Sequence, residues 1–136
     1  MSAPRLLTVE LAWIDGLEFS ARLSKTSIVV DGNGSAGPSP VELLGTALAG
    51  CMCSDVVHIL VKGRHAVASF CATLTAERAP AEPRRLVNVA LHFDITGQVP
   101  ASAVARAIEL SKTKYCSVWQ SMRQDIDLQV TFEIAS

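Results

Sequence analysis

Thiols are the side chains here best suited to chemistry. Two of the four, Cys51 and Cys53, lie in the apolar run "ELLGTALAGCMCSDVVHIL" at 42–60. Thiolates attack electrophiles, bind soft metals and form disulfides. Two residues along a helix rotate a side chain by about 200°, so Cys51 and Cys53 cannot easily pair or share a metal while both stay helical. Asp55 follows Cys51 by four positions and His58 follows Asp55 by three, which places the three on one stripe. That set is conceivable as metal ligands. The plainer account is that Asp55 and His58 mark where the helix leaves the core, and no metal site is assigned. Cys53 and Cys71 read as small inert hydrophobes, with Cys71 on the polar-facing side of its strand. Cys116 differs. It follows Lys112, Lys114 and Tyr115, where one helix ends and another turn begins, and nearby cations and a helix N-terminus both favour thiolate. The three histidines do not cluster, and no phosphate-binding glycine loop is present.

The elements that must position these groups follow from periodicity. "LLTVELAW" alternates with Leu7, Val9, Leu11 and Trp13 on one face. After Asp15-Gly16, "LEFSARL" alternates again, a hairpin signal. "SIVV" is a third short strand, followed by the loop "DGNGSAGPSP". Ser39 suits a helix N-cap, Pro40 the first turn, and Glu42 completes a capping box. The helix runs to about Lys62, with Gly63 as its stop. It is apolar or small on every side from Leu43 to Cys53, which predicts burial all round. "AVASFCATLTAE" and "RLVNVALHFDI" are long strands, "PASAVARAIELSK" is an amphipathic helix, "YCSVWQSM" starts another helical turn, and "DIDLQVTFEI" closes the chain as a strand. The order βββ-α-ββ-α-(α)-β predicts a single α+β domain over 1–136 with largely antiparallel sheet.

Composition removes several function classes. Net charge is −1 without a Lys/Arg run, which argues against nucleic-acid binding. No segment reaches the ~18 apolar residues of a membrane span, and "MSAPRLLTVE" does not read as a signal peptide. The expected setting is cytoplasmic, where thiols stay reduced. No cofactor is expected.

The run "GPSPVELLGTALAGCMCSDVVHILVKGR", the later "ARAIELSKTKYCSV" and the final alternating strand resemble the OsmC/Ohr superfamily, the osmotically inducible and organic hydroperoxide resistance proteins. The resemblance covers essentially the whole chain and is nearest to the OsmC-like branch. It implies an intertwined homodimer with curved sheets around buried central helices. It also implies a thiol peroxidase. A peroxidatic thiolate attacks the hydroperoxide O–O bond and becomes sulfenic acid, a resolving cysteine condenses with it, and a dithiol reductant such as a lipoyl group resets the pair. By position, Cys51 is the peroxidatic and Cys116 the resolving residue, and Glu42 is the candidate catalytic carboxylate. Two departures stand out. Val41 follows the helix-opening Pro40 where the family has its glutamate, so Glu42 comes one residue late and serves equally as a cap. The first hairpin, "WIDGLEF", lacks the family's arginine, and Arg22 is the nearest substitute. Without that cation Cys51 should react slowly. Two alternatives therefore stand beside a peroxidase acting on organic hydroperoxides. One is a non-catalytic homodimer that binds an apolar small molecule, and the other is a redox sensor using the Cys51–Cys116 pair.

Overall fold

A computed structural model describes residues 3–136. The chain divides into two compact units, one up to Leu44 and one from Gly45 onward. The first is an antiparallel meander of β1 (Glu10–Asp15), β2 (Glu18–Arg22) and β3 (Ser27–Asp31). Asp15-Gly16 makes the expected turn, with Gly16 at φ 52°, a conformation glycine adopts without steric cost. Trp13 Nε1 donates to the Gly16 carbonyl at 2.9 Å. Leu7 and Val9 precede β1 rather than belong to it. Leu11 and Trp13, on the one face that alternation gives them, are 57% and 68% exposed. Among the described residues of this unit, nothing covers that face.

The loop after β3 is held by Asp31, which is buried. Its carboxylate accepts backbone N–H groups of Asn33 at 2.8 Å, Ser35 at 3.2 Å and Ala36 at 2.9 Å. Donation from Ala36, then Asn33, holds the Asp31 carboxyl below its ordinary value. The loop leads into α1 (Pro40–Lys62). There the capping box is complete: Glu42 N–H donates to Ser39 Oγ at 3.1 Å, and Ser39 N–H donates to Glu42 Oε1 at 3.0 Å.

Two expectations about α1 need correcting. Only the i,i+4 stripe Leu48, Met52, Val56 and Leu60 is buried. The other apolar faces are partly open, because this chain alone does not supply cover for them. The helix also reaches membrane-span length and hydropathy, with a mean of 1.7 over its most apolar window. Thr46, Ser54 and Asp55 interrupt an apolar count but only dilute that average. The helix ends at Lys62 with Gly63 next, as expected. His65 N–H donates to Leu60 O at 3.1 Å and Arg64 N–H to Val61 O at 2.9 Å, the paired bonds of a Schellman motif. The left-handed residue of this motif is Arg64, at φ 63°.

The second unit is the sheet β4 (Ala66–Arg78), β5 (Leu86–Gln98) and β6 (Asp127–Ala135), in that order. β4 and β5 pair antiparallel, but β5 and β6 run parallel. The sheets are thus largely antiparallel, as expected, with one parallel exception. A parallel neighbour needs a long crossover. Here it is α2 (Ala101–Leu110), a π-helical turn (Ser111–Tyr115) and α3 (Ser117–Gln120). The core of this unit takes Val89, Leu91, Phe93 and Ile95 from alternate positions of β5, Val104 and Ala107 from α2, and Trp119 from α3.

Candidate functional site

Cys51 and Asp55 are four apart on α1 and share a face. Cys116 reaches the same face from the crossover. The sulfurs of Cys51 and Cys116 and a carboxylate oxygen of Asp55 all lie within 4.8 Å of one another. Both cysteines are free thiols.

The π-turn makes this meeting possible. Five residues of α-helix sweep about 500°, which would leave Cys116 roughly 140° away from Ser111. Instead Cys116 N–H donates to Ser111 O at 2.8 Å, the wider i→i+5 closure. That turn brings Cys116 back over Ser111. The buried Ser111 hydroxyl can then donate to Asp55 Oδ2 at 2.8 Å while Cys116 stands beside the same carboxylate. Gln120 Nε2, which donates to Lys112 O at 2.9 Å, braces the turn.

Cys116 is fully buried and is the N-cap of α3, its sulfur accepting Trp119 N–H at 3.3 Å. Burial is the main effect on its thiol and pushes it up. The Trp119 N–H works against this, while Cys51 and the Asp55 carboxylate push it further, to about 11. Cys116 is therefore a neutral thiol near pH 7, contrary to the expectation of an activated thiolate. The two lysines that suggested activation are engaged elsewhere: Lys112 Nζ donates to Leu128 O at 3.5 Å, and Lys114 lies over the Tyr115 ring, 5.2 Å from its centroid.

Cys51 is half-buried, so reagents reach it before they reach Cys116. A cavity of about 400 Å³ lies along the Asp55 side of α1, lined by Asp55, His58, Ile59, Lys62, Leu110 and Tyr115. A larger groove of about 670 Å³ lies between α1 and β4, on the side of Cys53, Val57, Val61 and Phe70.

The other residues singled out from the sequence scatter. Cys53 is half-buried, and burial pushes its thiol up. Cys71 is exposed on β4. His58 is exposed and lines the smaller cavity, but Cys116 takes the third place beside Cys51 and Asp55. His92 is on the sheet, its Nδ1 2.7 Å from Thr131 Oγ1. Glu42 closes the cap of α1. Arg22 pairs with Glu10 across β1 and β2 at 2.9 Å. Ser111 was not singled out. No local motif marks it, and α-helical spacing would have set it apart from Cys116.

A family pattern described as "OsmC-like protein" matches residues 32–131. The chain belongs to the OsmC-like family. Protein YhfA of Escherichia coli K12 is 38% identical to this OsmC-like chain over 133 residues, covering 96% of it and 99% of the relative. A hypothetical protein from Aquifex aeolicus has the same fold, with a TM-score of 0.90 at 27% identity over 97% of this chain and 98% of its own. An organic hydroperoxide resistance protein from Elizabethkingia anophelis aligns at a TM-score of 0.70 and 15% identity, over 99% of this chain and 100% of its own. At that identity the likeness of the OsmC-like chain to it is one of fold. The α+β class expected from the order of elements is the observed one.

Proposed function

We propose that this protein is a two-cysteine thiol peroxidase that reduces organic hydroperoxides. The observation that carries the reading is the meeting of Cys51 and Cys116, distant in sequence, with their sulfurs within 4.8 Å. Difference in access supports the order of events. The half-buried Cys51 thiolate attacks the O–O bond, takes one oxygen as sulfenic acid, and releases the other as an alcohol after protonation. Cys116, sealed from solvent, then displaces hydroxide from the Cys51 sulfur. The disulfide forms and the hydroxide leaves as water with the Cys116 proton. A dithiol reductant returns both residues to thiols as it becomes a disulfide itself. The cavity along Asp55 and Tyr115 is within the usual size range of small-molecule sites. Glu42 we assign to the helix cap and Arg22 to its surface ion pair.

The working unit in this reading is a homodimer in the cytoplasm. Leu11, Trp13, Ile14 and Leu17, all in the first hairpin, are each at least half exposed, and apolar residues gathered in the open on one hairpin mark an interaction surface. One observation favours a second reading, a homodimer that binds an apolar molecule without turnover. The larger groove is mainly apolar and lies on the Cys53 side of α1 rather than with the thiol pair.

The deciding experiment is turnover of cumene hydroperoxide with dihydrolipoamide, together with peptide mapping after one equivalent of oxidant. A single intrachain Cys51–Cys116 link should appear, with Cys53 and Cys71 still free. Cys116→Ser should accumulate sulfenic acid on Cys51, and Cys51→Ser should lose turnover by at least about 100-fold. Wild-type turnover no faster than Cys51→Ser, or a dominant link through Cys53 or Cys71, would remove the peroxidase reading.

A further inference from the structure

We propose that the reduced Cys51–Asp55–Cys116 cluster is a binding site for a divalent zinc-class cation, with Ser111 as its outer partner. The proposal goes beyond the peroxidase reading and does not depend on it. Two sulfurs and a carboxylate oxygen converge within 4.8 Å of one another. Around a tetrahedral zinc, sulfur and oxygen ligands sit roughly 3.5–3.8 Å apart, so closing the cluster on a metal takes a contraction of at most about 1.3 Å.

The ligand set selects the metal. Two thiolates favour zinc, cobalt and copper(I) over magnesium and calcium, which prefer all-oxygen sites. Three protein ligands leave the fourth tetrahedral position for water or a small anion, the arrangement of an open zinc site. The half-buried Cys51 gives that position a route to solvent.

The second observation is the buried Ser111. It donates to Asp55 Oδ2, which leaves Oδ1 available to a metal and fixes the plane of the carboxylate. Metal-ligating carboxylates are commonly oriented in this way by a hydrogen bond from outside the ligand set. As ligands, the two thiolates and the Asp55 carboxylate would gather three negative charges at one place. A divalent cation offsets that repulsion and stabilises all three anionic ligands together. His58, on the same helix stripe, is not among the converging groups. A second cluster, His92, Asp94 and Glu133, lies on the sheet with both carboxylates exposed and provides an internal control.

Cobalt(II) is the probe, because thiolate ligation gives it a near-ultraviolet charge-transfer band. Reduced, full-length protein is titrated anaerobically with Co²⁺ and then with Zn²⁺. One equivalent per chain should saturate the band, and zinc should abolish it. Cys51→Ser and Cys116→Ser should each lose the band, Ser111→Ala should weaken binding about 10-fold, and His92→Ala should bind as wild type. Saturation by Co²⁺ without a sulfur band would overturn the proposal, as would no binding at micromolar metal. Loss in His92→Ala with both cysteine variants intact would move the site to the sheet. Circular dichroism checks that the variants fold, and the wild-type spectrum decides on sulfur ligation even if they do not. No hydroperoxide is present, so failure here leaves the peroxidase reading untouched, and failure of turnover leaves this one untouched.

Discussion

At the scale of single residues, the two thiols differ because their surroundings differ. Cys116 is sealed and held near 11 chiefly by burial. Below that value its thiolate fraction rises tenfold per pH unit, and thiolate is the attacking form. Formation of the disulfide from Cys51 sulfenic acid should therefore accelerate about tenfold per unit from pH 7 to 9, as measured by stopped-flow after a single-turnover dose of hydroperoxide. A rate flat over that range would mean that Cys116 does not limit the step. Glu42 offers a second test. Gln keeps the acceptor for Ser39 N–H, so Glu42→Gln should leave turnover unchanged and lower stability by less than about 1 kcal/mol, the value of a charge at a helix N-terminus. A tenfold selective loss of turnover would make Glu42 catalytic. The cysteines could be picked out from the sequence by their types and by the resemblance that pairs them. Ser111 could not, because it meets Asp55 from 56 positions away, a contact that only the fold creates.

At the scale of elements, the ends of α1 show where local chemistry is readable. The N-terminus is fixed within four residues, and Ser39 and Glu42 form the bonds their spacing suggests. At the C-terminus, Gly63 marks the stop as its position suggests, while the Schellman bonds place the left-handed conformation one residue later, at Arg64. A Cβ on Gly63 would come within 3.3 Å of Ile59 O and 3.1 Å of the His65 ring, a tight fit that the His65 side chain would have to ease by a few tenths of an ångström. Arg64 has a left-handed backbone that costs an L-residue roughly 1–2 kcal/mol, partly offset by the extra unfolded-state freedom of glycine. Arg64→Gly should therefore stabilise the protein, by up to about 1 kcal/mol in urea denaturation. Destabilisation would mean that the arginine side chain contributes more than its backbone strain costs. Strands were legible from alternation. The parallel direction of β6 was not, because period two is the same whichever way a neighbour runs.

At the scale of the whole molecule, apolar surface is left open. The sequence predicts a helix buried all round, and alternation in β1 gathers Leu11 and Trp13 on one face. Within one chain, α1 is buried along a single stripe and β1 is open. Hydropathy predicts that a surface will be covered without saying which chain covers it. Sedimentation should show a dimer at micromolar concentration. Trp13, now 68% exposed, should have blue-shifted emission in that dimer relative to a dissociated Trp13-bearing monomer. A stable monomer at that concentration would leave the apolar surface unexplained.

The crossover between the parallel strands β5 and β6 carries Cys116, while Cys51 precedes β4. A bond between them would tie a ring of about 65 residues, taking in β4, β5 and α2. A ring of that length removes chain entropy from the unfolded state worth roughly 4 kcal/mol. The oxidised protein should then melt on the order of 10 °C above the reduced one in scanning calorimetry, a gap that Cys116→Ser erases. Exposure to oxidant would thus be recorded in the durability of the molecule, with spent copies outlasting fresh ones against heat and proteases until a reductant opens the ring.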